Sequence, residues 1–369
     1  MSNPKKIKIL FITPSFSRGG SEIYLYHLLQ NIDKNKFDIF LFSDYQGELT
    51  SNEHDYKVEY YNVKEGSLKY YFLRVIKKFL KYNYKYRQIK RINQKLRPDI
   101  WYLNTSILQE YVPFAQKLNM QYVVHFHELI SVFDVIPGNG FNVMIDNAKA
   151  LITCSKSVKL MIENVRQENV FLQYEHIEIP NEVFVKIDFR KRFNIPEDAF
   201  IWMMSGQKCY RKGYDLIPQI CEFLNDRKSY LIWLGGPRDF AINQWVNTDR
   251  IVNLIEPGML KGDEYLSVFK TVNGFVLTSR EDPFPLVMIE AASFGLPIIA
   301  FNSGGVSEFV EEGMGKIIPN FDIEMLCAAM QEVMDGKILF DKLKSIENAN
   351  KFDVRVKVKE WERLIESII

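Results

Sequence analysis

The feature that most constrains this chain is an alternation of short apolar runs with longer amphipathic stretches. Such alternation is typical of parallel β-sheets covered by helices on both faces. It occurs twice, before and after a polar, irregular stretch at 180–198. The sequence therefore predicts two doubly wound α/β domains, residues 1–180 and 181–353, followed by a helix over 354–369. The predicted strands are 7–12, 37–42, 100–103, 122–126, 150–154, 176–179, 201–205, 230–235, 274–278 and 297–301.

Length and composition agree with two globular domains of ordinary size. The chain has 369 residues, of which 47% are hydrophobic and 25% charged, and its formal net charge of +1 identifies no partner. No apolar stretch is long enough to span a membrane. The charged N-terminus leads into an apolar run too short for a signal peptide, and the four cysteines lack zinc or redox spacing. We therefore expect a cytoplasmic protein.

The most informative stretch, 274–305, divides into strand, loop, helix, strand and Gly-Gly turn. Pro283 and Pro285 suit the entry to a helix. The helix from Leu286 is apolar on nearly every side, which predicts that it is buried. Glu290 within it needs a partner, because a buried carboxylate is otherwise costly. Ligand hydroxyls or a neighbouring Arg or Lys would each serve.

The start of this helix is a natural seat for a diphosphate. The amides of Leu286 and Val287 have no acceptor within the helix, and helix N-termini favour anions. Open α/β sheets bind ligands at the carboxyl ends of their strands, where this helix begins. The position of the helix therefore agrees with a ligand site.

The same stretch resembles glycosyltransferase family 4, whose members adopt the GT-B fold. The family carries an acidic residue, seven others and a Glu, followed by Ala and a Gly-x-Pro strand. Here Asp282 and Glu290 form the acidic pair, although the family usually has Glu at the first position. The resemblance implies two domains facing across a cleft, with the nucleotide sugar on the C-terminal domain and the acceptor on the N-terminal one. It further implies that the terminal helix packs back on the first domain.

A second motif, at 205–215, directly follows a predicted strand and places basic side chains beside glycines. Charge and close backbone approach are what a diphosphate needs, although a solvated basic turn would give the same pattern. The family has Gly-Arg, a few residues, then Lys-Gly-x-Asp here. Gly206 and Lys212 fit, and Gln207 replaces the usual Arg. We expect Lys212 to contact phosphate, with further charge from Lys208 or Arg211.

Two weaker motifs lie in the first half of the chain. Gly19 and Gly20 precede a helix and suit a simple turn, but in the family such a loop faces the cleft. At the end of the 122–126 strand, His127 and Glu128 match a family pattern at the sugar end of the cleft. The resemblance gives His127 a hydrogen bond to a sugar hydroxyl or the reacting region. A metal site would need more ligands than this strand offers.

Residues 64–97 form a basic segment with interleaved tyrosines and phenylalanines. It contains twelve basic residues against one acid. A solvated helical face is one interpretation, and docking on an anionic membrane surface is the other. The segment contains no nucleic-acid-binding module, so we expect no nucleic acid partner. Family members that glycosylate lipid-linked acceptors often dock through this domain, which favours a peripheral position on the inner face of the membrane.

The resemblance implies a retaining transfer from a nucleotide-diphosphate sugar, with a UDP-sugar favoured, in cell-surface polysaccharide synthesis. The acceptor would be a glycan or lipid-linked glycan. Glu290 would hold the ribose, Asp282 the sugar, and Lys212 with the helix amides the leaving diphosphate. No metal and no other cofactor are expected. The alternatives are a nucleotide-sugar epimerase or hydrolase of the same fold, or a non-catalytic sugar-nucleotide binding protein.

Overall fold

The computed structural model describes residues 5–51, 54–60, 68, 71–72, 83–129, 139–183, 185, 187–225 and 228–369. The chain divides into two compact units. The first combines Met1–Tyr174 with Val354–Ile369, and the second is Glu175–Asp353. The predicted first domain, 1–180, thus includes residues 175–180, which belong to the second unit in the structure. No helix among the residues described is long and apolar enough to cross a membrane.

Each unit is built on one parallel sheet. The first sheet has seven strands in the order β3-β2-β1-β4-β5-β6-β7, and the second has six in the order β10-β9-β8-β11-β12-β13. Both orders reverse direction beside the first strand of the unit, which makes each unit doubly wound, so the predicted fold class is confirmed. The strands are β1 Ile7–Ser15, β2 Phe37–Tyr45, β3 Lys57–Tyr60, β4 Ile100–Leu103, β5 Tyr122–Phe126, β6 Ala150–Thr153, β7 Val170–Leu172, β8 Ile201–Ser205, β9 Tyr230–Leu234, β10 Leu254–Gly258, β11 Gly274–Leu277, β12 Ile298–Phe301 and β13 Gly315–Ile318.

Helices connect most of these strands, as right-handed crossovers between parallel strands require. In the first unit they are α1 Gly20–Asn31, α2 Tyr84–Leu96, α3 Val112–Leu118, α4 Gly140–Asn147 and α5 Lys156–Glu163. In the second they are α6 Phe189–Arg192, α7 Ile217–Asn225, α8 Phe240–Trp245, α9 Gly262–Thr271, α10 Leu286–Ser293, α11 Val306–Phe309, α12 Ile323–Met334 and α13 Lys342–Asn350. The last helix, α14 Val354–Ile368, returns to the first unit.

The strand predicted at 176–179 is wrong. Ile177 forms only an isolated parallel bridge with Asp353. The amide of Ile179 donates to the Asp353 carboxylate at 3.1 Å instead of to a neighbouring strand. Pro180 follows, and because proline has no amide hydrogen it cannot extend a ladder. This apolar run therefore tethers the two ends of the second unit.

The terminal helix α14 is part of the core of the first unit. Trp361 is fully buried and stacks on Phe11 of β1 with ring centroids 5.8 Å apart. Its indole nitrogen donates to the hydroxyl of Tyr102 on β4 at 3.2 Å. Burial of large aromatic side chains dominates core energetics, so this contact ties the helix to the centre of the sheet.

One glycine lets the loop after β8 pack on the end of β11. Gly213 has a φ of +74°, and a Cβ at this position would lie 2.2 Å from the carbonyl oxygen of Thr278. The Thr278 hydroxyl donates to the carbonyl oxygen of Lys212 at 2.7 Å. A side chain at position 213 would therefore separate two loops that carry predicted site residues.

We expect Gly213→Ala to destabilise the second unit by about 3 kcal/mol, because it adds a backbone clash to left-handed strain. Gly336→Ala is the matched control: its φ is +67°, but a Cβ there meets nothing within 4 Å. The control should cost about 1 kcal/mol. Urea unfolding of both variants measures the difference. Equal losses would show that the approach to Thr278 does not constrain the fold.

Candidate functional site

The loops that carry the predicted donor residues meet at the carboxyl edge of the second sheet. The amide of Asp282, in the loop after β11, donates to the carbonyl of Ser303, in the loop after β12, at 2.9 Å. The amide of Arg280 donates to the carbonyl of Arg211, in the loop after β8, at 2.8 Å. Backbone hydrogen bonds therefore fix three loops that follow three neighbouring strands.

Lys212 and Asp282 are brought into direct contact. The ammonium group of Lys212 donates to Oδ2 of Asp282, and the two side chains are only 13% and 8% exposed. The Lys212 side chain also packs beside Gly206, where an added Cβ would lie 3.6 Å from its methylene groups. An ammonium group has three N–H donors, so Lys212 can bind Asp282 and a phosphate oxygen together.

Glu290 lies on α10 and is held by a tyrosine. The hydroxyl of Tyr265, on α9, donates to Oε2 of Glu290 at 2.6 Å. Within the described ranges no Lys or Arg forms an ion pair with this carboxylate, so the basic partner weighed from the sequence is not present there. Burial raises the pKa of Glu290 to about 7, although the hydrogen bond from Tyr265 lowers it in part. The carboxylate is thus under-solvated and suited to accept further hydrogen bonds.

The start of α10 is open to an anion. Pro285 occupies the N-cap position in an extended conformation and makes no side-chain cap hydrogen bond. The amides of Leu286 and Val287 lie in the first turn, where a helix provides no acceptor for them. These amides lie at the positive end of the helix, as the sequence predicts.

Lys208 belongs to a different polar group. Its ammonium lies 2.8 Å from Oε1 of Glu256, which also accepts from the hydroxyl of Tyr214 at 2.6 Å. Arg238 lies 3.3 Å from the other oxygen of Glu256. Burial opposes ionisation, but the bonds from Lys208 and Tyr214 hold the pKa of Glu256 below its usual value. Lys208 and Arg238 thus share the single carboxylate of Glu256, so the group keeps a net positive charge.

Arg211 is exposed, and its guanidinium donates to the carbonyl of Glu281 at 2.9 Å. The neighbouring Arg280, which the sequence did not single out as a separate contact, makes two 2.7 Å bonds to the Asp215 carboxylate. It also lies 4.0 Å above the ring of Tyr210. The bidentate contact clamps the loop after β8 to the loop after β11.

In the first unit, the residues predicted for the acceptor side also gather at the carboxyl edge of their sheet. Gly19 is the N-cap of α1 and packs against the Glu22 side chain, whereas a Cβ at Gly20 meets nothing within 4 Å. Glu128 accepts hydrogen bonds from the hydroxyls of Thr105 and Ser106. The Glu128 carboxylate therefore braces the loop after β4.

His125 and His127 lie on the same face of the β5 strand end, with ring centroids 3.9 Å apart. His125 is fully buried, and its Nδ1 lies 2.8 Å from the hydroxyl of Tyr102. The His127 ring is partly buried and lies 5.2 Å from the ring of Tyr24 on α1. His127 is thus the more exposed of the two.

The structure describes only part of the basic segment 64–97. Helix α2 buries Ile89 and Ile92 and exposes Arg87, Lys90, Arg91 and Lys95. Its Lys85 is instead partly buried and forms ion pairs with Asp44 and Glu110. The following basic residues of the segment lie outside the described residues: Lys64, Lys69, Arg74, Lys77, Lys78 and Lys81. In the described part of the chain, no group of three His, Cys, Asp or Glu side chains could hold a metal ion.

The raised pKa of Glu290 predicts that the stability of the fold depends on pH. Between its usual pKa of 4.5 and about 7, the folded state binds more protons at Glu290 than the unfolded state does. Stability contributed by this group therefore falls as pH rises through that interval and is constant above it. Because glutamine does not titrate, we expect Glu290→Gln to gain stability relative to the native chain, by up to about 3 kcal/mol between pH 5 and pH 8.

Urea unfolding at a series of pH values measures this gain. The control is Glu347→Gln, which makes the same replacement at an exposed position of α13. Parallel stability curves for the native chain and Glu290→Gln would contradict the raised pKa.

Comparison with known proteins identifies the family. The model of "Glycosyltransferase Family 4" matches residues 18–171, and that of "Glycosyl transferases group 1" matches residues 185–352. An uncharacterized glycosyltransferase of Methanocaldococcus jannaschii is 26% identical over 180 residues, which cover 45% of this chain and 46% of that protein. A component of human phosphatidylinositol N-acetylglucosaminyltransferase is 24% identical over 237 residues, or 60% of this chain and 46% of that protein.

The chain thus spans less than half the length of these curated relatives. Among solved structures, Anabaena HepE in complex with UDP and glucose has a TM-score of 0.78 at 18% identity. The similarity covers 98% of this chain and 100% of that one, which shows a common fold. With its two units matched in turn by the two family models, the chain belongs to the family 4-type glycosyltransferases of the GT-B fold.

Proposed function

We propose that this protein transfers a sugar, with retention of configuration, from a nucleotide-diphosphate donor to a glycan or lipid-linked glycan. The observation that carries the proposal is the partly buried Glu290 carboxylate, which has a hydroxyl and not a cation as its partner. Such a carboxylate costs stability unless a ligand supplies hydrogen bonds. Ribose hydroxyls of the donor would supply them.

The remaining groups at this edge suit the rest of the donor. Lys212 and the amides of Leu286 and Val287 would hold the diphosphate, whose negative charge grows as the glycosidic bond breaks. Asp282 engages Lys212 through Oδ2, which leaves Oδ1 for a hydroxyl of the donor sugar. Because Lys212 and the helix supply positive charge, we propose that transfer needs neither a metal nor another cofactor.

We favour a UDP-sugar as donor, since a protein of the same fold has been solved with UDP and glucose. A lipid-linked acceptor agrees with a relative that is named for a lipid, phosphatidylinositol. His127, Glu128 and the Gly19–Gly20 turn would contact the sugar or acceptor from the first unit. A role in cell-surface polysaccharide synthesis follows from such an acceptor.

We expect Lys212→Ala and Glu290→Ala each to lower transfer by about two to three orders of magnitude, because each removes a contact to donor charge or ribose. Lys316→Ala is a matched control, since Lys316 forms an exposed surface pair with Glu332. Thermal-shift screening against UDP-, GDP- and ADP-sugars identifies the donor. Labelled donor and candidate acceptors then measure formation of a new glycoside.

Excess chelator should leave the rate unchanged. Full activity of either site variant would refute that residue's role, and loss of activity that magnesium or manganese restores would refute metal independence. Conversion of the donor at the same rate with and without acceptors, and with no new glycoside formed, would refute transfer as the reaction.

We further propose that the exposed basic face of α2 docks on an anionic membrane surface. Arg87, Lys90, Arg91 and Lys95 share this face, and each basic residue contributes about 1 kcal/mol near such a surface. We therefore expect the pair Lys90→Glu and Arg91→Glu to weaken binding to phosphatidylserine vesicles by at least about tenfold.

Vesicle sedimentation at low and physiological salt measures this change. The control reverses two exposed charges on another helix of the same unit, Arg355→Glu and Lys359→Glu, and should bind more tightly than the α2 variant. Equal weakening by both pairs would indicate a response to net charge and contradict docking through α2.

A further inference from the structure

We propose that Tyr265 is a positioning residue of the donor site. Its hydroxyl donates to Oε2 of Glu290, so that Oε1 is left to accept from the ribose of the donor. The part that concerns ribose rests on the proposed function. The contacts of Tyr265 itself do not depend on that function, and those described below lie within the second unit.

The direction of the hydrogen bonds follows from the donors available. Tyr265 lies 2.6 Å from Oε2 of Glu290 and 3.3 Å from Oγ of Ser205. An ionised carboxylate only accepts hydrogen bonds, so the single phenolic proton goes to Glu290. Ser205 must then donate to the phenolic oxygen. The result is a chain of donors that runs from Ser205 through Tyr265 to the carboxylate.

These two hydrogen bonds connect two parts of the donor site. Ser205 is the last residue of β8 and directly precedes Gly206 in the loop that carries Lys212. Glu290 lies one turn after the start of α10, whose first amides face the expected diphosphate. Tyr265 therefore couples the orientation of the expected ribose-binding carboxylate to the position of the phosphate-binding loop.

Aromatic packing fixes the phenol in this place. The Tyr265 ring meets the ring of Phe269 edge to face, with centroids 5.3 Å apart. Phe269 in turn stacks on Phe294, at the end of α10, with centroids 5.0 Å apart. The ring is thus braced between the helix that carries it and the helix that carries Glu290. Loss of the hydroxyl alone should leave this packing intact.

The contact also affects the charge of the site. Burial raises the pKa of Glu290, and the bond from Tyr265 opposes that rise. Burial and the adjacent carboxylate raise the pKa of Tyr265 well above its usual value, so its hydroxyl remains a donor at physiological pH. Tyr265 therefore increases the fraction of Glu290 that is ionised and able to accept from a ribose hydroxyl.

The test compares the native chain with Tyr265→Phe in two measurements. Carbon-13 NMR of labelled glutamate carboxyls follows the titration of Glu290 without nucleotide, with Glu290→Gln for assignment. Calorimetry measures UDP affinity between pH 6 and pH 9. Tyr230→Phe is the control, since it removes a hydroxyl from a partly buried tyrosine of the same unit.

We expect Tyr265→Phe to raise the midpoint of the Glu290 titration by about one pH unit, because a hydrogen bond to the charged form is lost. UDP affinity should fall about five- to tenfold at pH 7 and recover to within about twofold by pH 9. Ser205→Ala, which weakens the same chain one step earlier, should shift the midpoint less but in the same direction. Tyr230→Phe should change neither quantity.

The two possible failures are separable. An unchanged Glu290 titration in both Tyr265→Phe and Ser205→Ala would overturn the positioning role. A shifted titration with a pH-independent loss of UDP affinity would overturn the link between Oε1 and ribose. Absence of UDP binding to the native chain, with other nucleotides also failing, would overturn the proposed donor site itself.

Discussion

The contact between Lys212 and Asp282 is the interaction on which the rest of the candidate site at the carboxyl edge of the second sheet depends. It joins loops from two strands that are 70 residues apart in sequence, and it is largely shielded from solvent. Removing either member of a shielded pair destabilises the fold, because the remaining charge is left uncompensated. The backbone bonds from Asp282 to Ser303 and Gly305 then carry this constraint to the loop after β12. The loops after β8, β11 and β12 are thus fixed as one assembly.

The two acids of the motif are treated differently by the fold. Asp282 has a cation beside it, whereas among the described residues the partner of Glu290 is a phenol, and burial raises the pKa of Glu290 to about 7. A partly buried carboxylate without a neighbouring cation lowers the stability of the fold, and functional sites commonly keep such destabilising groups. We propose that this difference separates their roles: Asp282 organises the loops of the site, and Glu290 accepts hydrogen bonds from a ligand.

The sequence predicted the central strands well and the sheet edges poorly. Nine of the ten predicted runs correspond to strands, and all four strands that were missed, β3, β7, β10 and β13, are sheet edges. A central strand of a parallel sheet is buried on both faces and gives a continuous apolar run. An edge strand is partly solvated, so residues such as Lys57 and Glu59 in β3 interrupt the pattern. Its pairing is determined by the neighbouring strand and not by its own composition.

The site shows the same division between local and tertiary information. Motif spacing singled out Glu290 and Lys212 as candidates, but the contacts of Tyr265 and Glu256 depend on how helices and strands pack, and no local pattern signals them. Gln207, where the family has Arg, removes a charge from the loop after β8, and Lys208 in the same loop is held by Glu256, which it shares with Arg238. We therefore propose that positive charge for a diphosphate comes from Lys212, which shares its donors with Asp282, from the exposed Arg211 and from the first turn of α10. We therefore propose that donor binding depends on the first amides of α10, whose position is fixed by the loop that Asp282 anchors.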